Sequence, residues 1–225
     1  MIIFLHGFLG SPEDWSPVTQ YIHTPFKALN LPGHSGTPLD PSLLEKEIPE
    51  KVTLVGYSLG GRLAMDFARR FPERIHSLII LSANPGIESG REERLAQDEK
   101  WISILENEGI DRFLEKWYAQ DLFSSFSMTE EIKKRRKKHD PKSLIEVLRT
   151  LSPGKLPSLW PHLKNFSFPL LFLFGENDIK YRKIGKRLRE NHEVMWIPHA
   201  SHPIHLEAPQ AIAEIINRRS YDTSR

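Results

Sequence analysis

The sequence contains no cysteine among its 225 residues. Disulfide bonds, thiolate chemistry and cysteine-ligated metal sites are therefore excluded, and the chain suits a reducing compartment such as the cytoplasm. No apolar run approaches the roughly 20 residues that a helix needs to cross a bilayer, so we expect no membrane insertion. The N-terminal MIIFLHGF has neither a basic region nor a cleavage site, and we expect it not to be a signal peptide.

An excess of charge of one sign is also lacking. The chain has 31 Lys and Arg against 29 Asp and Glu, a net charge of +2, which by itself does not indicate nucleic acid binding. With 39% hydrophobic and 27% charged residues, its composition is that of a globular protein. The length of 225 residues suits one domain with an insertion. The basic run Lys133–Lys138 has no interleaved aromatic residues, which favours a solvated face over a nucleic acid site.

Short apolar runs alternate with amphipathic helical patterns along most of the chain. The predicted strands are Ile2–Leu5, Phe26–Leu29, Val52–Val55, Leu78–Leu81, Leu170–Phe174 and Val194–Ile197. The predicted helices between and after them are Pro12–Ile22, Leu59–Phe71, Ile179–Glu190 and Pro209–Arg218. Because runs that are apolar throughout are typical of strands covered on both faces, this order predicts an α/β protein with a mostly parallel sheet.

The alternation is interrupted by a helical, charged segment. Its predicted helices are Glu92–Glu108, Ile110–Tyr118, Thr129–His139 and Pro141–Leu151. We expect residues 1–85 and 167–225 to form an α/β core, and residues 86–166 to form a helical cap over the carboxyl edge of the sheet. Open α/β sheets bind their ligands at that edge.

The stretch GYSLGG places Ser58 between Gly56 and Gly60, where a predicted strand meets a predicted helix. In this context Gly-x-Ser-x-Gly is typical of a nucleophile elbow, a strained turn that lifts the serine hydroxyl above the sheet. The amide of Leu59 then points to where an oxyanion would develop. The alternative is a glycine-rich turn that only packs a helix on the sheet.

A serine hydroxyl needs a base, and the base needs an orienting carboxylate. Asp178 in LFLFGENDIK and His202 in WIPHASHPIH follow predicted strands, in the chain order that this architecture uses. We therefore predict a triad of Ser58, His202 and Asp178. The alternatives are Glu176 or Glu207 as the acid, and His199 or His205 as the base.

In the N-terminal FLHGF, a predicted strand ends at a glycine. We predict that the backbone amide of Phe8, just after this glycine, is the second donor to the oxyanion. We favour a hydrogen-bonding buttress role for His6 over a catalytic one, and place it beside the substrate. His34 in LPGHSGT follows another predicted strand, and we expect it to be structural.

Taken in order, FLHGF, LPGHSGT, GYSLGG and GEND followed by SHPIHLEAP resemble the α/β-hydrolase superfamily. The resemblance covers nearly the whole chain and implies the α/β-hydrolase fold. Two features depart from the family pattern. The chain starts almost directly at the oxyanion strand, which implies a sheet shortened at its N-terminal edge, and Ser201 stands where a glycine commonly precedes the catalytic histidine.

Within that superfamily, GYSLGGRLAM is similar to the 2-succinyl-6-hydroxy-2,4-cyclohexadiene-1-carboxylate (SHCHC) synthases of menaquinone (vitamin K2) biosynthesis. Tyr57 before the serine, Arg62 after the glycines, NPGI at 84–87 and Trp117-Tyr118 are all typical of that branch. So is RKKHDPKSLIEVLR at 136–149. The resemblance implies a lyase that eliminates pyruvate from 2-succinyl-5-enolpyruvyl-6-hydroxy-3-cyclohexene-1-carboxylate, with the serine removing a ring proton rather than attacking a carbonyl.

The resemblance also implies a small polycarboxylate as ligand, bound by Arg62, Arg94 and Arg136, with Tyr57 and Trp117 beside it. Arginine suits the binding of a polycarboxylate because its planar guanidinium group forms two parallel hydrogen bonds with a carboxylate. Arg91 competes with Arg94, and Arg135 with Arg136. Arg62 lies four residues after Ser58, on the same helical face, although it would pair with an acidic residue if it lay on the helix flank.

We expect no cofactor, no metal, and a monomer or weak homo-oligomer. The first alternative is a carboxylesterase or C–C bond hydrolase with the same triad. The second is a non-catalytic binding protein of the same fold, although such proteins usually lack a member of the triad.

Overall fold

The computed structural model describes residues 1–40 and 42–221. Within them, six strands form one parallel sheet in the order β2-β1-β3-β4-β5-β6. The strands are β1 Ile2–Leu5, β2 Phe26–Leu29, β3 Val52–Tyr57, β4 Ile75–Leu81, β5 Leu170–Gly175 and β6 Glu193–Ile197. All six predicted strands are present, with small shifts of their ends, and the predicted fold class is confirmed.

Helices cover both faces of this sheet. The α-helices are α1 Ser16–Thr19, α2 Leu43–Glu47, α3 Leu59–Arg70, α4 Arg91–Asn107, α5 Gly109–Tyr118, α6 Glu130–Arg136, α7 Pro141–Thr150, α8 Trp160–Leu163, α9 Ile179–Leu188, α10 Ile204–Glu207 and α11 Pro209–Tyr221. Short 3-10 turns span Pro12–Trp15, Pro72–Arg74 and Asp121–Phe123.

Alternation along the strands divides the core into two layers, because successive side chains of a strand point to opposite faces. Ile3 and Leu5 of β1 pack in the layer that contains residues of α2, α3 and α9. Ile2 and Phe4 pack in the layer that contains residues of α1, α10 and α11. Both faces of the strands are therefore apolar, as their sequence pattern predicts.

The segment between β4 and β5, residues 82–169, holds α4 to α8 and no strand. We call it the helical segment. Residues of α4, α5 and α7 form a third apolar cluster, and this cluster also takes in Leu9 from the loop after β1. The helical segment is thus packed directly against that loop. The division of the chain into a core and a separate cap at residues 86 and 166 stays a prediction.

Two predicted helices differ from the structure. Residues 12–22 form a 3-10 turn followed by the single turn of α1. Pro17 lies at this junction and lacks the amide hydrogen that would continue a regular α-helical ladder. The pattern over residues 129–139 forms α6, which Thr129 caps by accepting from the Ile132 amide and which ends at Arg136. None of the helices in the described part of the chain has the length and apolar character needed to cross a membrane.

Candidate active site

Ser58 occupies the sharp turn between β3 and α3. Its backbone has φ 50° and ψ −111°, a conformation that L-residues rarely adopt. The surrounding glycines make this turn possible: a Cβ added to Gly56 would lie 2.6 Å from the carbonyl oxygen of Gly60, and one added to Gly61 would lie 2.7 Å from Cβ of Ala83. The chain therefore forms the strained turn of a nucleophile elbow at this position.

The hydroxyl of Ser58 faces a histidine–carboxylate pair. His202 Nε2 lies 3.0 Å from Ser58 Oγ, and His202 Nδ1 lies 2.7 Å from Asp178 Oδ2. Asp178 is fully buried, and its other oxygen accepts from the Tyr181 amide at 3.1 Å. Because Asp178 accepts the Nδ1 proton, Nε2 is left to accept the serine proton. The structure thus brings together the three side chains that the sequence predicts as a triad.

The rival residues occupy other positions. Glu207 accepts from the amide and hydroxyl of Ser201, at 2.7 Å and 2.9 Å, and so fixes the loop just before His202. Glu176 and His199 are exposed. His205 is buried, with its ring 4.2 Å from Tyr57 and 4.8 Å from Trp15. Ser201, which departs from the family pattern, is therefore accommodated by the carboxylate of Glu207.

Two backbone amides lie beside Ser58 and are free to bind an oxyanion. Leu59 is the first residue of α3, where amides have no intrahelical acceptor. Phe8 lies in a tight turn closed by the Gly10 amide, which donates to Gly7 O at 2.9 Å. Among the described residues, neither the Phe8 nor the Leu59 amide has an acceptor, and both residues line the cavity above Ser58. Their placement fits the predicted oxyanion hole.

The cavity above Ser58 has one cationic and one aromatic side. Both the sheet edge and the helical segment contribute to its wall. Arg62, Arg94 and Lys180 form the cationic side, whereas Phe8, Trp101 and Trp117 form the aromatic one. The rings of Trp117 and Phe8 lie 5.1 Å apart, and Tyr57 also reaches the cavity. Such a site suits a ring that carries anionic groups.

Arg62 is buried without a counter-ion. Its side chain is on the cavity wall and only 6% exposed, and Nε and Nη1 have no hydrogen-bond partner in the described structure. Burial lowers the pKa of Arg62 to about 10, and the nearby Arg94 and Arg91 add to the lowering. Arg62 therefore does not pair with an acidic residue on the helix flank, and its guanidinium is open to an anion from the cavity.

Arg94, rather than its competitor Arg91, is on the cavity wall. Its Nε donates to Asp98 at 2.9 Å, and Asp98 is buried and accepts from Ser152 Oγ at 2.6 Å. Arg91 instead donates to the backbone carbonyls of Gly154 and Leu156. Asp98 thus orients Arg94 and offsets part of its charge.

The sequence interpretation missed several polar residues of the wall, which are Gln97, Gln120, Lys180 and Tyr181. Gln97 follows Arg94 by three residues and so shares its helical face, a signal that would have found it. Lys180 follows Asp178 by two residues. Partial desolvation, and then Arg94, lower the pKa of Lys180. No local pattern indicates Gln120.

Two predicted substrate-binding residues lie elsewhere. Arg136 is 3% exposed, donates to both oxygens of Asp14 at 3.0 Å and 2.6 Å, and does not line the cavity above Ser58 in the described structure. Its competitor Arg135 also contacts Asp14. A buried guanidinium needs a carboxylate partner, and Asp14 supplies it. Direct contact of Arg136 with substrate stays a prediction.

His6 is likewise absent from the cavity wall of the described structure. It is fully buried, its Nδ1 donates to Gly7 O at 2.8 Å, and its Nε2 accepts from the Leu31 amide at 3.1 Å. Burial lowers the pKa of His6 to about 4, so the ring is neutral. Its place among the residues beside the substrate is corrected to that of the loop buttress.

Comparison with known proteins shows the family of the chain. The model of the alpha/beta hydrolase family matches residues 2–215. The chain belongs to this family. A solved alpha/beta-fold structure described as MenH from S. aureus superimposes with a TM-score of 0.90 at 28% identity, over 100% of this chain and 94% of that one.

Within the alpha/beta hydrolase family, the chain resembles one branch. It is 30% identical to the SHCHC synthase of Salmonella arizonae over 230 residues, which cover 95% of this chain and 90% of that protein. It is also 32% identical to Protein PHYLLO, chloroplastic, of Arabidopsis thaliana. That match covers 92% of this chain but only 14% of the longer plant protein. The predicted resemblance to SHCHC synthases is confirmed.

We predict that Asp178→Asn slows the labelling of Ser58 by a fluorophosphonate at least about 100-fold, because an amide no longer holds His202 in the tautomer that accepts the serine proton. Glu207→Gln is the matched control for the rival carboxylate, and should slow labelling less than about tenfold. Labelling rates followed by mass spectrometry measure both. Equal decreases of the labelling rate in the two variants would contradict the assignment of Asp178 as the carboxylate of the triad.

Buried neutral histidines predict a loss of stability in acid. The pKa of His205 is lowered to about 3, chiefly by burial, so the folded protein excludes a proton that the unfolded chain binds near its ordinary pKa of 6.5. Stability is then fully present above about pH 6.5 and falls as pH drops toward the folded pKa. We predict that His205→Phe reduces the loss of unfolding free energy between pH 7 and pH 4 by about 3 kcal/mol.

Urea titrations across this pH range measure that loss. His23→Phe, at an exposed position, is the control and should keep the wild-type pH dependence. A His205→Phe variant with an unchanged pH dependence would show that His205 is protonated in the folded protein.

Proposed function

We propose that this protein is an SHCHC synthase, a carbon–oxygen lyase that eliminates pyruvate from 2-succinyl-5-enolpyruvyl-6-hydroxy-3-cyclohexene-1-carboxylate. One observation carries the proposal: the buried guanidinium of Arg62, without a counter-ion, lies one helical turn from the hydroxyl of Ser58. An esterase for neutral acyl groups gains nothing from a desolvated cation at this place. The likeness to SHCHC synthases over nearly the whole chain supports the same activity.

The triad acts in this reaction as a proton acceptor. The succinyl ketone acidifies the hydrogen on ring carbon C2, and Ser58 Oγ takes this proton while passing its own to His202 Nε2. The released electrons form the C2=C3 bond, the C3=C4 bond shifts to C4=C5, and the C5–O bond breaks. The leaving group is the enolate of pyruvate, which takes up one proton on its methylene carbon and becomes pyruvate while the imidazolium of His202 gives up the one it gained. The ring product is the conjugated diene.

The oxyanion hole serves the same step. Proton removal places negative charge on the ketone oxygen conjugated to C2, and the amides of Phe8 and Leu59 are free to donate to it. Fixed donors aimed at developing charge lower the barrier because they need no reorganisation during the reaction. Asp178 stabilises the imidazolium that His202 becomes.

The cationic side of the cavity binds the substrate. The substrate carries three carboxylates, and Arg62, Arg94 and Lys180 face the cavity. A carboxylate that pairs with Arg62 offsets a charge for which the fold provides no partner, so binding relieves a cost already present in the free protein. Trp117 and Phe8 cover the ring from the aromatic side.

A carboxylesterase is the second candidate, because the same contacts at 2.7 Å and 3.0 Å would activate Ser58 for attack on an ester carbonyl. Arg62 discriminates between the two activities. A cytoplasmic location and a monomeric or weakly oligomeric state remain predictions from the sequence.

The direct test supplies the substrate, generated enzymatically, and measures pyruvate release with a coupled dehydrogenase. We expect rapid release that the Ser58→Ala variant loses. Turnover of a simple aryl ester without pyruvate release would instead favour the esterase.

A second prediction separates binding from folding. We predict that Arg62→Met lowers kcat/KM for pyruvate release at least about 100-fold, because a charge-assisted bidentate contact to substrate is lost. The same change should raise the free energy of unfolding by about 1–3 kcal/mol, because it removes a buried charge that has no partner. Arg69→Met on the same helix, where the arginine pairs with Asp66 at the surface, is the matched control.

For Arg69→Met we expect both quantities to stay near wild type. Pyruvate release and urea denaturation are measured on the same preparations. An Arg62→Met variant that is both inactive and less stable would indicate a structural role for this arginine.

A further inference from the structure

We propose that His139 is a positioning residue that holds the oxyanion loop, residues 7–10, from the helical segment. His139 lies within the stretch RKKHDPKSLIEVLR, but the resemblance assigns it no role, and it does not line the cavity above Ser58 in the described structure. It follows α6 and reaches across to the loop that carries the Phe8 amide. The inference concerns this loop, and it rests on the proposed function only for the choice of substrate, since elimination and ester hydrolysis both use the oxyanion hole.

The oxyanion loop contains a strained residue. Leu9 has φ 64° and is fully buried, at the turn position before Gly10. Residues with positive φ in such turns are usually glycine or asparagine, because a Cβ costs roughly 1–2 kcal/mol in this region. The loop therefore depends on outside contacts to keep its shape, and with it the direction of the Phe8 amide.

His139 supplies such a contact through both ring nitrogens. Its Nε2 donates to the Leu9 carbonyl at 2.9 Å, and its Nδ1 accepts from the Ser35 amide at 3.4 Å. Ser35 also has a positive φ, of 51°. One nitrogen must be a donor and the other an acceptor, so this bridge requires the neutral ring. One buried histidine thus joins two strained loops that follow neighbouring strands.

The surroundings keep His139 neutral and in place. The ring is 5% exposed, and burial lowers the pKa of His139. Of the charges that face it, Arg136 lowers the pKa further and Asp14 raises it, and the ring of His34 lies 5.6 Å away.

Arg136 strengthens the same connection. It precedes His139 by three residues and pairs with Asp14, whose Oδ2 accepts from the Ser11 amide at 3.3 Å. Residues 136–139 therefore hold the chain after β1 at two points, at Leu9 and at Asp14. Arg136 thus has a structural role that agrees with its burial.

The consequence for catalysis is specific. Losing the His139 contact should let the Phe8 amide move while Arg62 and Arg94 stay in place. Oxyanion donors act on the transition state more than on the bound substrate, so kcat should fall while KM changes little. A merely structural role would lower stability and leave the kcat of the folded protein unchanged.

The test compares His139→Leu, which removes both contacts, with His139→Gln, whose amide nitrogen reaches to the position of Nε2 and can donate to Leu9. We expect His139→Leu to lower kcat for pyruvate release on the order of tenfold, with KM within about twofold of wild type. His139→Gln should recover most of the loss. His23→Leu, at an exposed histidine, is the matched control and should behave as wild type.

Hydrogen exchange followed by mass spectrometry gives a readout that needs no activity. Exchange in the peptide that contains residues 7–10 should rise in His139→Leu and return toward wild type in His139→Gln. Should His139→Leu not fold, His139→Asn takes its place, because its shorter amide does not reach Leu9. Unchanged exchange and unchanged kcat in a folded variant would overturn the proposal.

The two proposals fail in different ways. If the wild type releases no pyruvate, the proposed function fails, and the same variants are compared by hydrolysis of 4-nitrophenyl acetate and by exchange. If pyruvate release is robust and insensitive to His139, the positioning role fails and the proposed function stands.

Discussion

The close approach of α3 to the ends of β1 and β3 is the constraint on which the site depends. A Cβ on Gly60 would collide with the carbonyl oxygens of Leu5 and His6, so the start of the helix rests directly on the end of β1. That contact brings the Leu59 amide next to the loop that carries Phe8. The strained turn at Ser58 and the predicted oxyanion hole thus both depend on one packing arrangement, in which only glycine fits at position 60.

The arginines around the site fall into two groups, those whose charge is paired with a carboxylate and those whose charge is not. Arg136 is paired with Asp14 and Arg94 with Asp98, and each pair joins elements or orients a side chain. Arg62 has no such partner among the described residues. A fold that keeps an unpaired buried charge gives up stability for it, which is typical of residues retained for binding. The absence of a carboxylate, more than the presence of the arginine, is what supports Arg62 as the substrate's partner in the proposed function.

The sequence predicts those parts of the structure that short stretches of neighbouring residues determine. Apolar runs identify the strands, and the order of motifs identifies Ser58, Asp178 and His202, because strands of a parallel sheet deliver their carboxyl ends to one edge. The pairing of Arg136 with Asp14 joins residues 122 positions apart and has no local signal. The contact between His139 and Leu9 also has no local signal, because a histidine beside a basic run is usually solvated and only the tertiary packing shows that this one is buried.

The distinction between hydrolase and lyase lies outside the triad, because the same contacts activate Ser58 for either reaction. A carboxylate held by Arg62 one turn from the serine has a carbon that is a poor electrophile, so attack by Ser58 at that group is unproductive. A ring hydrogen near the same carboxylate is acidic when a ketone is conjugated to its carbon, and Ser58 with His202 then forms a competent base. Under the proposed function, the charge next to the nucleophile therefore favours proton removal over acyl transfer, and the same three side chains serve to break a different bond.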